Sequence, residues 1–345
     1  MEGVFMRTSR STAGLAAAAV AGVLSLAGCG GGAGGSDRAA GDCSNFKVAV
    51  ADDDVRRAAL YAIEHDEVDT SKFPGLELSY LAFPALIQAT GTDQFDLIES
   101  SLIGIPLARS KGVDLKIVAL SSGRTGDEQN PGVSGLYVRG EGGVSAPGDL
   151  KGKKIGVTSF GSTSTMITRI LLHERYGLDS ALQGGDVSWV EMDPAQLTTA
   201  LERGQIDAVS DFGYTAYRLG HDSQFRRIMM SDSEWRELTG HNSVFAAYQA
   251  LDRQVESGQT CYEQYQDMLG ASVDYAQEHI DELATAISAK TGLPAEYITF
   301  QWSGAYDYVG SIEPEWLEAA QAMWDQAATE GDIPESLDIE DEIVK

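Results

Sequence analysis

Short, compact apolar runs alternate along this chain with stretches in which apolar residues recur every three or four positions. Phe46–Ala51, Leu76–Ala82, Phe95–Ile98 and Leu115–Leu120 are too short for helices and read as buried strands. Arg56–His65, Pro84–Ala89 and Leu102–Arg109 lie between them with helical spacing, and the triplet Asp52-Asp53-Asp54 is placed to cap the first of these helices. Strand and helix in regular alternation predict parallel βαβ units with right-handed crossovers. Gly135–Arg139, Lys154–Thr158, Ala208–Asp211 and Val244–Tyr248 continue the series of strands, while Ser121–Val133, rich in Gly, Asp, Asn and Ser, reads as a connection. Arg226–Met230 reads as a segment returning to the first strands. Beyond Cys261 the pattern becomes helical, over Tyr265–His279, Asp281–Thr291 and Pro314–Thr329, with Gly292 and Pro294 as breaks.

The densest pattern runs from Gly148 to Tyr214. Lys154–Thr158 feeds the small-residue turn Phe160-Gly161-Ser162-Thr163-Ser164, after which Met166, Ile167, Ile170, Leu171 and Leu172 supply the buried face of a helix. Ser and Thr at that position cap the helix, and the N–H groups and dipole at its start favour a small anion. An ordinary capped turn explains the same residues, so the turn alone leaves both readings open.

The N-terminus points to export. Arg7 and Arg10 precede the apolar run Ala13–Ala27, the layout of a secretory signal. Leu26-Ala27-Gly28-Cys29 resembles a bacterial lipobox, which implies cleavage before Cys29 and a diacylglycerol on its thiol. The Gly-rich residues that follow read as a tether rather than a continuing helix. Residues 1–28 are thus expected to be a signal peptide and 29–43 a tether, with the mature protein lipid-anchored on the outer face of the cytoplasmic membrane. Cys43 and Cys261 would then be the remaining thiols in an oxidising compartment. They are expected to form a disulfide; two separate thiols remain the alternative, because spacing does not show that the sites meet.

With 52 acidic residues against 25 basic ones the net charge is −27, which argues against nucleic acid as a partner. The chain is 43% hydrophobic and long enough to bury a large core. Its five histidines, His65, His173, His221, His241 and His279, stand singly in the sequence, without metal-ligand spacing. Neither a nucleophile elbow nor a Walker A motif occurs, so neither enzyme activity nor a metal or cofactor is expected.

Leu150-Lys-Gly-Lys-Lys-Ile-Gly-Val157, the turn after it, Ile170–Asp179, Val187–Leu197 and Ala200–Val209 together resemble the second lobe of the taurine, sulfonate and nitrate solute-binding proteins of ABC importers, a group with thiamine-precursor-binding relatives. Asp96, Ser100, Ser101, Gly104, Leu107-Ala108 and Gly112 resemble a phrase of the first lobe. The resemblance implies a two-lobed α/β fold of the periplasmic-binding-protein type II kind with a helical C-terminal region. Lobe 1 would span 44–132 and 224–345, and lobe 2 would span 133–223. It also implies a monomer that hands a small solute to an ABC permease with its ATPase.

Ligands of open α/β sheets sit beyond the carboxyl ends of the strands. Those ends nominate Asp53, Phe83, Ser100, Ser101, Ser162, Thr163, Ser164, Asp211 and Tyr214. Hydroxyls and the helix start would hold an anion, Asp53 or Asp211 an ammonium, and Phe83 and Tyr214 the apolar part. Either aspartate also serves simply as a helix cap. A taurine-like or alkylsulfonate solute is expected; a pyrimidine resembling a thiamine precursor, or nitrate, is the alternative. The thiamine-pyrimidine synthases share the fold but carry a cysteine-rich active-site stretch, which is missing from this sequence.

Overall fold

The computed structural model describes residues 41–124, 132–305 and 307–345. The predicted signal peptide, Cys29 and most of the tether lie outside these residues, as does the middle of the Ser121–Val133 connection. Among the described residues, strands β1 Lys47–Ala51, β2 Glu77–Leu81, β3 Leu97–Ser101, β4 Leu115–Arg124, β5 Gly135–Arg139, β6 Lys154–Val157, β7 Ser188–Glu191, β8 Ala208–Asp211, β9 Phe225–Met230, β10 Ser243–Leu251 and β11 Asp307–Ser311 form two sheets. Their orders are β11-β4-β10-β3-β1-β2 and β7-β6-β8-β5-β9.

In the first sheet β1 pairs in parallel with β2 and β3, and β10 runs antiparallel between β3 and β4. The second sheet has β6 parallel to β7 and β8, with β5 antiparallel between β8 and β9. β1 and β3 are buried nearly throughout, as expected of apolar runs covered on both faces. The chain leaves the first sheet after β4 and returns to it at β10. Two crossings therefore join the lobes.

Two expectations need correction. β4 does not stop at Leu120. Ser122 and Gly123 pair with both β10 and β11, so the small polar residues that resemble a loop complete a buried strand. A side chain at Gly123 would stand 2.2 Å from the Trp316 ring, so only glycine admits that indole. Lobe 2 does not end at Ser223, because β9 pairs with β5 rather than returning to the first sheet. Phe225 and Met229 bury themselves there, and the helix Ser231–Thr239 follows before Gly240, at φ 80°, turns the chain back. The helical run Asp252–Thr291 is kinked at Gly258 and at His279, where the backbone leaves helical angles, so the break expected between Tyr265–His279 and Asp281–Thr291 is present.

Cys261 on that element is bonded to Cys43, with Cα atoms 5.4 Å apart. Around the bond, Phe46 meets Phe73 and Tyr262 edge-on at 5.5 and 5.4 Å, which joins the start of the fold to the C-terminal helices.

Candidate functional site

The carboxyl ends of β1, β3 and β4 face those of β6 and β8 where the two lobes meet. At one side, Ser101 and Thr163 share a hydrogen bond of 2.8 Å, and Thr163 Oγ1 donates to the carbonyl of Phe245 at 2.8 Å. Both hydroxyls therefore hold lobe to lobe. Ser100 is buried in β3, and its carbonyl accepts from Gln249 Nε2 at 3.0 Å. Ser162 caps the helix Thr163–Tyr176 by accepting from Thr165 N–H, and its hydroxyl also lies 3.1 Å from that of half-buried Ser164. The helix start thus faces the other lobe. Next to it, a Cβ on Gly161 would sit 3.3 Å from Ile87, so this turn abuts the helix Phe83–Ala89. Phe83 itself lies half-buried over Ala49, Ala51 and Ile98.

The helix Asp54–Ala59 begins at the end of β1, where Asp53 caps it by accepting from Arg56 N–H at 2.8 Å. Arg56 Nη1 also lies 3.0 Å from Asp53 Oδ2. Glu99, 1% exposed, accepts from Arg56 Nε and Nη2 and from Ser121 Oγ at 2.6 to 2.9 Å. A buried ion pair thus fixes the turn after β1. Asp53, expected to meet a ligand, is committed to the helix and to Arg56.

Arg124, at the end of β4, is 1% exposed. Nη1 donates to Ser134 Oγ at 2.5 Å and lies 3.8 Å from Asp232 Oδ2, while Nη2 donates to the Phe212 carbonyl at 3.0 Å. Its guanidinium carbon lies 5.4 and 5.3 Å from the ring centres of Phe212 and Phe245. One cation therefore touches both crossings and the turn after β8. Burial raises the Asp232 carboxyl above its ordinary range, and Arg124 opposes the rise. Burial likewise raises Asp211, against the pull of the Phe212 and Ala216 amides, the Thr215 hydroxyl and Arg124. Apart from Arg124, those neighbours lie at and just before the start of the helix Tyr214–His221, so Asp211 acts first as its anchor. Tyr214 stays half-buried, its ring 5.0 Å from that of Tyr297.

A second polar group faces this turn from lobe 1. Asp54 is 4% exposed, and its Oδ2 has no hydrogen-bond partner among the described residues. Burial, with Asp53 next to it, pushes its carboxyl up to about 7. Gln301 Nε2 donates to Tyr297 Oη at 2.9 Å, while Gln301 Oε1 is unpartnered. The Tyr297 phenol is raised well above its ordinary value, by burial first and then by Asp54 and Asp53. A Cβ on Gly213 would lie 3.9 Å from that hydroxyl, so the turn after β8 covers it.

The sequence reading missed Asp54, Arg56, Glu99, Arg124, Tyr297 and Gln301 as site residues. A glutamate within the apolar run Leu97-Ile98 and an arginine beside Val55, Ala58 and Ala59 were signals of a buried pair. Tyr297 and Gln301 gave none, since they reach the site only through the fold. The fold also brings His173 Nδ1 to 2.6 Å from Glu330 Oε2, with the ligating atoms of His173, Glu174 and Glu330 within 4.8 Å of one another, although no spacing in the sequence links them.

Residues 131–309, just over half of the chain, match the family described as menaquinone biosynthesis. A 57-residue segment is 40% identical to 4,5-dihydroxyphthalate decarboxylase from Comamonas testosteroni; it spans 16% of this chain and only 16% of that relative. Among solved structures, the periplasmic aliphatic sulphonate binding protein from Escherichia coli aligns over 88% of this chain and 92% of its own, with a TM-score of 0.66 and 15% identity. The alkanesulfonate-binding protein from Xanthomonas axonopodis pv. citri, bound to MOPS, aligns over 88% and 99%, with a TM-score of 0.67 and 18% identity. The fold is that of the periplasmic binding proteins.

Proposed function

The chain belongs to the menaquinone-biosynthesis family and carries the periplasmic-binding-protein fold, and from these two premises we propose that it captures a small organic anion between its lobes without altering it. It would act as an exported monomer anchored through Cys29, handing its solute to an ABC permease driven by an ATPase. A sulfonate is the first candidate, with taurine and simple alkylsulfonates as the representatives.

The observation that carries this reading is the meeting of two sheets, joined by two crossings, on one polar seam. The capped start of the Thr163–Tyr176 helix faces that seam, with Ser164 beside it, and a helix start favours an anion. Lobe closure would exclude water and strengthen each polar contact. Isothermal titration with taurine, ethanesulfonate, nitrate and an aminopyrimidine tests it: a sulfonate should bind with one site per chain. Binding of the aminopyrimidine alone would move the protein to the heterocycle class, and binding of nitrate alone to the inorganic one.

A second reading rests on the segment shared with the decarboxylase and on the family's description. The fold itself does not separate capture from catalysis, because chemistry depends on site residues. In this reading the seam holds an aromatic carboxylate, and the carboxyl of Asp54 supplies a proton. Recovery of a converted ligand would establish it.

A further inference from the structure

We propose that Asp54, together with Gln301 and Tyr297, forms the pole of the cleft that receives a protonated amine of the solute, a role that the sequence reading had given to Asp53 or Asp211. The inference rests on the capture reading above and specifies the class of solute: a zwitterion, with its anion toward the Thr163–Tyr176 helix start and its ammonium toward Asp54.

Three observations converge on it. Asp54 stands at the carboxyl end of β1, which lies between β2 and β3, so it occupies the edge of the first sheet that faces lobe 2. The other two aspartates are committed: Asp53 caps its helix and meets Arg56, and Asp211 is surrounded by the amides and hydroxyl at the start of the Tyr214–His221 helix. Asp54 alone of the three has a buried carboxylate oxygen without a partner.

Unsatisfied buried acceptors are rare in native proteins because each costs a desolvation penalty that a hydrogen bond would remove. Here Gln301, whose Oε1 is unpartnered among the described residues, donates through Nε2 to the Tyr297 phenol, and the charge of Asp54, whose Oδ2 is also unpartnered, acts on that same phenol. An ammonium carries three N–H donors and a positive charge, so it answers both oxygens and the ionised form of Asp54 at once. A plain carboxylate or sulfonate group placed there would meet only acceptors. Lobe 2 borders this group, since a Cβ on Gly213 would stand 3.9 Å from the Tyr297 hydroxyl, in ordinary van der Waals contact.

The test is isothermal titration of taurine and ethanesulfonate into the wild-type protein and Asp54→Asn, with melting curves in ethylamine hydrochloride as a probe of the amine alone. Circular dichroism and the melting temperature of Asp54→Asn report that the variant is folded. Wild type should prefer taurine over ethanesulfonate, and Asp54→Asn should weaken taurine by roughly 10- to 100-fold while leaving ethanesulfonate within about twofold, the range expected for loss of one charged hydrogen-bond partner. Equal binding of the two sulfonates by wild type, or a taurine preference that survives in Asp54→Asn, overturns the inference while leaving anion capture standing. If neither sulfonate binds but ethylamine raises the melting temperature of wild type and not of Asp54→Asn, the amine pole stands and the anion assignment falls. Binding of no probe overturns both.

Discussion

Asp54→Asn should stabilise the unliganded protein, and by more at alkaline pH than at acid pH. The carboxyl moves from an ordinary 3.8 to about 7 on folding, driven by burial and by Asp53, with Arg56 opposing. A raised acid pKa means that the native state holds a proton the unfolded chain has released. The ionised form is therefore penalised above pH 3.8, and the penalty grows with pH until it levels off above about 7. At about 1.36 kcal/mol per pH unit, linkage gives roughly 4 kcal/mol at pH 8 and roughly 1.5 to 2 at pH 5. Asparagine carries no such penalty at either pH. The advantage of Asp54→Asn over wild type should therefore widen by about 2 to 3 kcal/mol between pH 5 and pH 8, or roughly 5 °C in melting temperature for a chain of this size. Scanning calorimetry of both proteins at the two pH values reads this directly, because titrations common to both cancel in the difference. A difference that stays constant or narrows as pH rises would refute the account of a buried, unpartnered carboxyl.

Arg56→Met should destabilise by about 3 to 5 kcal/mol in urea titration, because it leaves Glu99 buried and unpaired, and adding Glu99→Leu should recover most of the loss; a single variant as stable as wild type would count against the pair. Reducing the Cys43–Cys261 bond releases a loop spanning 218 residues of sequence separation, so the urea midpoint should fall, by up to roughly 5 kcal/mol of stability in the chain-entropy account. An unchanged midpoint with and without reductant would show that the bond does not constrain the unfolded chain. Because the net charge is −27, association of ethanesulfonate in stopped flow should speed up as salt screens the repulsion, whereas zwitterionic taurine should respond little. A rate for ethanesulfonate that falls with salt would mean that local positive charge governs entry.

The positions of most strands were accessible from the sequence because buried strands leave compact apolar runs, whereas their order and the antiparallel pairings of β5, β9, β10 and β11 were not. β1, β5 and β8 appear within one or two residues of their predicted bounds. Failures came where chemistry and pattern diverge. Ser121–Arg124 has the composition of a loop, yet it forms the end of β4 because the Ser121 hydroxyl finds Glu99, that of Ser122 meets Arg56, and a glycine makes room for Trp316. β9 was misplaced because strand propensity does not say which sheet a segment joins.

The site shows the same division. Strand ends located the seam, but the roles of residues there depend on partners far away in sequence. Ser101 and Thr163 are 62 residues apart and bond to each other, and Tyr297 reaches Gly213 across the lobes. Hydroxyls that look available in a sequence are engaged in holding the lobes, while Asp54, third in an acidic triplet, stands out only once its neighbours' partners are known.

Capture without conversion is tested most directly by nuclear magnetic resonance of the solute itself. Taurine, or whichever sulfonate binds, is incubated with stoichiometric protein for many hours, released by denaturation and compared with the starting material. The account predicts one equivalent recovered with an unchanged spectrum; resonances of a new product, growing with time and with protein concentration, would contradict it and make the protein an enzyme.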